Sequence, residues 1–171
     1  MVPLFGILIK ISSKGPIFFT QKREGYKGTY FKCIKFRTMV LNSESDSLWA
    51  DDNDKRLTKI GRFLRLTAFD EMPQFFNVLK GDMSIVGPRP HMTDHTKHYS
   101  KEVQNFMQRH KCLPGITGWA QVNGLRGPTD TEGAMDKRFQ HDLYYIKNWY
   151  LMLDIYILIR TVFVVLFQRV D

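Results

Sequence analysis

Residues 151–170 are apolar almost throughout, and this segment limits the folds that the chain can adopt. Polar and charged side chains interrupt it, so its longest uncharged stretches are shorter than the roughly 18–20 apolar residues that cross a bilayer. The pattern fits either a helix buried in a protein core or a helix that lies along a membrane surface. Residues 2–11 are also nearly all apolar, and apolar segments at both ends favour the membrane-surface interpretation. The interrupting side chains are Asp154, Arg160, Thr161, Gln168 and Arg169.

Size and charge indicate one domain with an anionic partner. A chain of 171 residues is long enough to bury one hydrophobic core. Its net charge of +8 indicates a partner that, on this ground alone, is nucleic acid, a phosphorylated substrate or anionic lipid. Cys33 and Cys112 have no CxxC or zinc-site spacing, so they fit two reduced thiols in a cytoplasmic environment.

The middle of the chain predicts a mixed, helix-rich α/β fold with a small β-hairpin. Residues 17–21 and 30–36 are rich in β-branched and aromatic side chains, and the turn-prone residues 24–28 separate them. The spacing of apolar and capping residues predicts further helices between the amphipathic terminal segments. These helices cover about 57–64, 67–79, 91–109 and 135–150.

Asp70 and Glu71 are adjacent carboxylates at the start of the helix predicted for residues 67–79. Asp is a common N-cap residue and Pro73 is tolerated in a first helical turn, so the pair fits an ordinary helix start. It also fits phosphate chemistry, since a helix N-terminus attracts phosphate and keeps a nearby carboxylate ionised. Neighbouring residues on a helix point in different directions, so the two carboxylates are expected to have distinct roles.

Several cations precede this acidic pair and are candidates to hold phosphate oxygens. Lys35 and Arg37 lie two residues apart on a predicted strand and therefore share a face. Arg62 and Arg65 lie one turn apart on the helix that leads to Asp70. A solvated surface explains each pair equally well, but their concentration before two carboxylates favours a phosphate site.

Pro88-Arg89-Pro90 is a stiffened turn about twenty residues after the acidic pair. Proline fixes φ on both sides of Arg89. An arginine presented from a stiff segment loses less conformational entropy when it binds a ligand. The turn is therefore a candidate to bind an anionic group.

Seven segments of the chain, taken together and in order, closely resemble the bacterial sugar transferases, the monotopic polyprenyl-phosphate phosphoglycosyl transferases. The resemblance covers about Gly15 to Phe167. The segments are residues 15–19, 21–23, 35–39, 70–74, 77–84, 86–90 and 114–124.

The resemblance implies transfer of a sugar 1-phosphate from a UDP-sugar to undecaprenyl phosphate, with release of UMP. Asp70 would attack the sugar-bearing phosphate and form an aspartyl phosphosugar intermediate. Glu71 would help to bind Mg²⁺, as would Asp70, and would activate the acceptor phosphate. A loop at residues 123–131, together with Asp142-Leu143, resembles that of members that use glucose 1-phosphate, so UDP-glucose is the favoured donor.

The resemblance also implies residues that bind the substrates. Pro88, Arg89 and Pro90 match the turn that contacts the nucleotide. The other positions expected at or near the substrates are Lys35, Arg37, Arg65, Asp142 and Asp154.

The implied architecture is a monotopic, membrane-associated domain on the cytoplasmic face of a bacterial inner membrane. Residues 1–14 are expected to be the remnant of a membrane-inserted segment, and residues 15–171 a single catalytic domain with a C-terminal interfacial helix. The reaction would be the first membrane step of exopolysaccharide, capsule or O-antigen synthesis, and a homodimer is possible.

Two non-enzymatic alternatives stay open on the residues alone. A basic nucleic-acid-binding module would stack bases on hairpin aromatics. A membrane-surface scaffold would keep the fold without catalysis. Magnesium-dependent UMP release separates the enzyme from both, and on the family resemblance no nucleic-acid partner is expected. The hairpin aromatics are Phe18, Phe19, Tyr30, Phe31 and Phe36.

Overall fold

The computed structural model describes residues 2–41, 54–92, 99, 106–127 and 133–167, and these residues form a mixed, helix-rich fold with small sheets. This confirms the predicted α/β class. The helices are α1 (Val2–Ser12), α2 (Lys59–Leu66), α3 (Gln74–Leu79), α4 (Trp119–Val122), α5 (Ala134–Lys147) and α6 (Leu151–Phe167). The strands are β1 (Phe18–Glu24), β2 (Tyr30–Phe36), β3 (Ser84–Val86) and β4 (Gly115–Thr117).

The predicted hairpin is confirmed, with β1 longer than expected. Strands β1 and β2 are antiparallel, and Phe18 lies opposite Phe36. Along β2, Phe31 and Cys33 are buried on one face and Phe36 is buried on the other. With Phe31 and Phe36 inside the protein, two of the aromatic side chains proposed for base stacking are not available to nucleic acid.

A second small sheet, which the sequence analysis missed, joins β3 to β4 in parallel. Ser84 pairs with Gly115 and Val86 with Thr117. The two backbones approach so closely that a Cβ atom on Gly115 would clash with the backbone nitrogen of Gly87. Glycine at this position therefore permits a strand pair that fixes the start of the Pro88-Arg89-Pro90 turn.

The helix predicted for residues 67–79 is wrong in its first half. Ala68 has a left-handed backbone (φ 55°), which ends the preceding helical run, and Phe69–Glu71 then form a 3₁₀ turn. Helix α3 begins only after Pro73, which lacks the N–H group that an extended helix needs there. Asp70 is therefore not the N-cap of a helix, and the ordinary-cap interpretation of the acidic pair is wrong.

The remaining helix predictions have mixed outcomes. Helix α2 matches the expected segment, and Thr58 caps it by accepting from the backbone N–H of Gly61 at 2.9 Å. The segment expected as one helix over 135–150 is α5, which ends at Lys147, followed by a break before α6. Of the helix expected over 91–109, residues 93–98 and 100–105 lie outside the described residues, and residues 106–111 form a 3₁₀ helix.

The terminal helices are each half buried and half exposed. Helix α6 buries Leu153, Ile157 and Val164 against Val86 and Val122, while its other face exposes apolar side chains. The buried-core interpretation therefore holds for one face of α6, and the membrane-surface interpretation of the exposed apolar face stays a prediction. Across the described residues, every helix falls short of the length and apolarity that crossing a membrane requires.

Candidate active site

Asp70 and Glu71 lie side by side in the 3₁₀ turn between α2 and α3, and both are buried. The left-handed residue Ala68 turns the chain inward after α2, and Pro73 starts α3 immediately afterwards. The carboxylates are thereby held below strand β2 and beside the Pro88-Arg89-Pro90 turn. Two buried charged groups of the same sign need cationic partners.

Glu71 has those partners. Its Oε1 accepts from the Nζ of Lys35 at 2.8 Å and from the Nη2 of Arg89 at 2.5 Å, and its Oε2 accepts from Arg89 Nη1 at 3.2 Å. Burial alone would raise the pKa of Glu71, but Arg89 and Lys35 outweigh it and hold the pKa well below the usual value. Glu71 is therefore ionised at neutral pH and is a poor proton acceptor.

Asp70 behaves differently although it is the next residue. Burial raises its pKa, Lys35 opposes that rise and the neighbouring charge of Glu71 adds to it. Arg65 and Arg126 also lower the pKa by their charge. Asp70 precedes α3 instead of capping it. Within the described residues, no hydrogen bond engages its carboxylate.

The predicted basic residues fall in two places. Lys35 is part of the Glu71 ion pair, and Arg65 lies near Asp70, with its Nε donating to the Oγ1 of Thr38 at 3.1 Å. Arg37 is turned away from this cluster. Its guanidinium donates to the backbone oxygens of Lys14 and Ser13, both at 2.8 Å, and so ties the end of the hairpin to the segment after α1.

Hydrogen bonds to the backbone oxygens of both prolines hold the Pro88-Arg89-Pro90 turn in place. The backbone N–H of Gly115 donates to Pro88 O at 2.9 Å, and Arg23 Nη1 donates to Pro90 O at 3.0 Å. These bonds fix the turn that presents Arg89 to Glu71.

Asp142 lies behind this turn and does not contact the acidic pair. Its Oδ2 accepts from Arg109 Nη2 at 2.7 Å, and the same nitrogen donates to the backbone oxygen of Arg89 at 2.7 Å. Both side chains of the ion pair are almost fully buried. Burial raises the pKa of Asp142 against the opposing charges of Arg109 and Arg138. Asp142 therefore supports the turn through Arg109.

Asp154 is placed at the junction of α5 and α6. Its carboxylate accepts from the Tyr145 hydroxyl at 2.8 Å and from Trp149 Nε1 at 3.0 Å. These contacts fix the angle between the two helices. Among the described residues, its hydrogen bonds are to this junction and not to the acidic pair.

Two features of the site were missed from the sequence. Arg109 was not singled out, because its partner lies 33 residues away and no local pattern marks it. Arg126 was noted only within the loop at residues 123–131, yet its charge acts on both Asp70 and Glu71. It lines a cleft of about 160 Å³ that also borders Glu71 and whose other walls are mainly apolar.

A buried carboxylate pair surrounded by cations, next to an apolar cleft, defines a protein suited to phosphate groups at an apolar surface. The chain matches the family model described as bacterial sugar transferase over residues 1–168, and it belongs to that family.

Relatives at high identity carry informative names. The chain is 51% identical over 163 residues to a UDP-glucose:undecaprenyl-phosphate glucose-1-phosphate transferase of Xanthomonas campestris pv. campestris, covering 94% of this chain and 34% of the relative. An Escherichia coli (strain K12) protein of the same name is 51% identical over 158 residues, covering 92% and 34%. An undecaprenyl-phosphate galactose phosphotransferase of Salmonella typhimurium is 43% identical over 168 residues, covering 89% and 34%. The chain thus spans about a third of the length of these relatives.

Proposed function

We propose that this chain transfers a sugar 1-phosphate from a UDP-sugar to undecaprenyl phosphate through an aspartyl phosphosugar intermediate. The observation that carries the proposal is the difference between the two adjacent carboxylates. Glu71 is held by Lys35 and Arg89, whereas the carboxylate of Asp70 makes no hydrogen bond within the described residues. Family membership and relatives named for such reactions support it. The product would be the first lipid-linked sugar of exopolysaccharide, capsule or O-antigen synthesis.

In the first step, an Oδ atom of Asp70 attacks the sugar-bearing phosphorus of the UDP-sugar. A bond forms between that oxygen and the phosphorus, and the bond from the phosphorus to the bridging pyrophosphate oxygen breaks. UMP leaves with the bonding electron pair as a phosphate anion. The charges of Lys35 and Arg65 act on Asp70 and suit stabilisation of the negative charge on the donor's phosphate oxygens.

In the second step, an oxygen of the acceptor phosphate attacks the same phosphorus and releases the Asp70 carboxylate. The second pKa of a phosphate monoester is about 6, so the acceptor is mostly dianionic at neutral pH and needs no base. The lowered pKa of Glu71 does not suit a base either. We therefore assign Glu71 the role of holding Lys35 and Arg89 in place, which differs from the activating role that the family resemblance implies.

Mg²⁺ would fit this site, since one or two carboxylates together with substrate phosphates commonly hold this ion. Asp70 is the carboxylate that would hold it, because both oxygens of Glu71 already accept from cations. No cluster of three or more potential metal-ligating side chains occurs within the described part of the chain, so phosphate oxygens would complete the coordination. When bound, the ion would supply charge neutralisation of the pyrophosphate.

The exposed apolar faces support a position on the cytoplasmic face of a bacterial inner membrane. Helices α1, α3 and α6 all expose large apolar side chains. Large exposed apolar patches are rare on proteins that contact only water, and they mark surfaces that bind a membrane or another protein. Tyr144, Trp149 and Tyr150 are exposed near the start of α6, where they suit the headgroup region. Cys33 and Cys112 are unpaired, which suits a reducing compartment. The apolar side chains include Leu4, Ile7, Ile11, Phe75, Phe76, Leu79, Phe163, Leu166 and Phe167.

Replacing one of these exposed side chains should weaken membrane binding. Leu79 on α3 is 84% exposed, so Leu79→Gln should leave the fold intact. Its burial in lipid is worth about 1.5–3 kcal/mol, so the variant's partition into anionic vesicles should fall about tenfold to a hundredfold. The measurement is flotation with phosphatidylglycerol-containing vesicles. Tyr30→Gln on the hairpin is the matched control and should bind as the parent does; equal losses in both variants would contradict the assigned surface.

The preferred donor is proposed to be UDP-glucose. Two of the relatives described above are named for glucose 1-phosphate transfer, and a third is named for galactose. Relatives named for glucose 1-phosphate and for galactose both match this chain, so a direct test of the sugar is needed.

A donor panel with undecaprenyl phosphate and Mg²⁺ tests the proposed function. The kcat/KM for UMP release should be highest with UDP-glucose and lower with UDP-galactose and UDP-linked acetamido sugars. No UMP should be released when EDTA removes Mg²⁺. A higher kcat/KM for another UDP-sugar would overturn the sugar assignment alone. Folded protein that releases no UMP from any donor would overturn the transferase assignment and favour the scaffold alternative.

A further inference from the structure

The cleft beside Glu71 has a charged end and apolar walls. Its charged end is formed by Glu71 and Arg126. The hydroxyl protons of the polar wall residues are already used, because Thr161 Oγ1 donates to Ile157 O and Thr117 Oγ1 donates to Thr161 Oγ1, both at 2.7 Å. These side chains therefore offer no donor to a polar ligand. The apolar walls come from four elements of the fold and include Met72, Phe75, Ile116, Val122, Val164 and Val165.

The size of the cleft fits a small apolar group. A cavity of about 150 Å³ with apolar walls accepts a molecule such as benzene. The cleft here, at about 160 Å³, therefore has room for about one five-carbon isoprene unit. A hexose fits less well because its several hydroxyl groups need partners. Gln121 Oε1, a buried acceptor without a partner in the described residues, is enough for one hydroxyl only.

The charges at the inner end fit a phosphate. Four cations, Lys35, Arg65, Arg89 and Arg126, act on two carboxylates, Asp70 and Glu71, which leaves an excess of positive charge. Arg126 is partly exposed, and among the described residues it has no ion-pair partner. It is thus available to a phosphate that enters between the cleft and Asp70.

The outer end of the cleft is continuous with exposed apolar surface. Phe75 lines the cleft and is 46% exposed, and it is followed on α3 by exposed Phe76 and Leu79. On α6, Val165 lines the cleft while its neighbour Leu166 is exposed. A ligand that is apolar along its length and anionic at one end can therefore lie across this surface and place its charged end at Arg126.

We propose that this cleft binds the isoprene unit next to the phosphate of the acceptor lipid, with Arg126 holding that phosphate. The proposal rests on the proposed function and names the residues that select its acceptor. It separates the acceptor from the donor, whose nucleotide is expected at the Pro88-Arg89-Pro90 turn. Changes in the cleft should consequently affect the second step and spare the first.

Filling the cleft tests this separation. Val165→Phe adds bulk inside the cleft, and Val162→Phe makes the same change on the exposed face of α6 outside it. The first step is measured as UMP formed in one turnover without acceptor. The second is measured as discharge of the labelled adduct by undecaprenyl phosphate.

Val165→Phe should raise the acceptor concentration for half-maximal discharge about tenfold or more and change the first step less than about twofold. Val162→Phe should change neither.

Two results would overturn the assignment. One is an unchanged acceptor dependence in folded Val165→Phe, and the other is an equal loss in the first step, which would assign the cleft to the donor. If the parent protein forms no adduct, the failure lies in the proposed function and not in the cleft.

A smaller change covers the case in which Val165→Phe does not fold. Val165→Cys should react with N-ethylmaleimide, after subtraction of the parent's reactivity, and undecaprenyl phosphate should slow that reaction. UDP-glucose should not. Val162→Cys is the control and should be insensitive to both. Protection by the nucleotide sugar, or by neither ligand, would contradict the proposal.

Discussion

Asp70→Asn is expected to abolish adduct formation and UMP release while the protein stays folded. Asn has nearly the same shape but no carboxylate to attack phosphorus, so the rate should fall on the order of 10⁴-fold or more. The same substitution is expected to leave the stability of the fold unchanged or to increase it. Burial raises the folded-state pKa of Asp70 above its unfolded value, so its ionised form destabilises the fold at neutral pH. A neutral amide removes that cost, and the melting temperature should be equal or higher.

The measurement combines three readouts on the same preparation. Thermal unfolding reports the fold, radiolabelled UDP-glucose reports the adduct, and exchange of labelled UMP into UDP-glucose without acceptor reports reversal of the first step. Asp136→Asn on the exposed side of α5 makes the same chemical change away from the site and should leave all three unchanged. Near-normal turnover by Asp70→Asn would eliminate the covalent route and leave direct attack of the acceptor on the donor.

The roles of the two carboxylates were foreseeable only in part. The adjacency of Asp70 and Glu71 is visible in the sequence, and so is the expectation that neighbours differ in role. The cause of the difference is not visible, because Lys35 and Arg89 reach Glu71 from 36 residues before it and 18 after it. Local rules contain no information about contacts at such separations. They correctly predict the β1–β2 hairpin, whose partners are joined by a short turn.

The errors have physical reasons as well. Residues 67–79 have helical composition, but Ala68 adopts a left-handed conformation and Pro73 restarts the helix, so tertiary placement of the acidic pair prevails over propensity. The short parallel pairing of β3 and β4 carries no hydrophobic period long enough to detect. Its signal is Gly115, where only the absence of a side chain permits the backbone of Gly87 to approach.

Arg37 shows the limit of reasoning from a shared face. It follows Lys35 by two residues, and the strand period was expected to bring both to one phosphate site. Strand β2 ends at Phe36, so the period no longer applies at Arg37, and its side chain bonds the backbone after α1 instead. A helical or strand period predicts direction only inside the element.

Asp142→Asn is expected to destabilise the fold severely, because it leaves Arg109 charged and buried without its carboxylate. Removing one member of a buried ion pair costs about 3–5 kcal/mol. In a chain of this size that corresponds to a fall in melting temperature of about 6–20 °C. Arg109→Met should cost a comparable amount by leaving Asp142 unpaired. The exposed Asp136→Asn variant is the control and should melt as the parent does.

The double variant Asp142→Leu/Arg109→Met separates stability from positioning. Replacing both members of a buried ion pair with apolar side chains is often close to neutral, so the double variant should recover most of the lost stability. Its activity should stay low, because the backbone oxygen of Arg89 loses the donor that fixes the Pro88-Arg89-Pro90 turn, and the hold of Arg89 on Glu71 loosens. The loss should appear in kcat for UMP release more than in the KM for undecaprenyl phosphate.

A stable double variant with full activity would show that the turn needs no support from Arg109. A double variant as unstable as either single variant would show that the ion pair is not the source of the destabilisation.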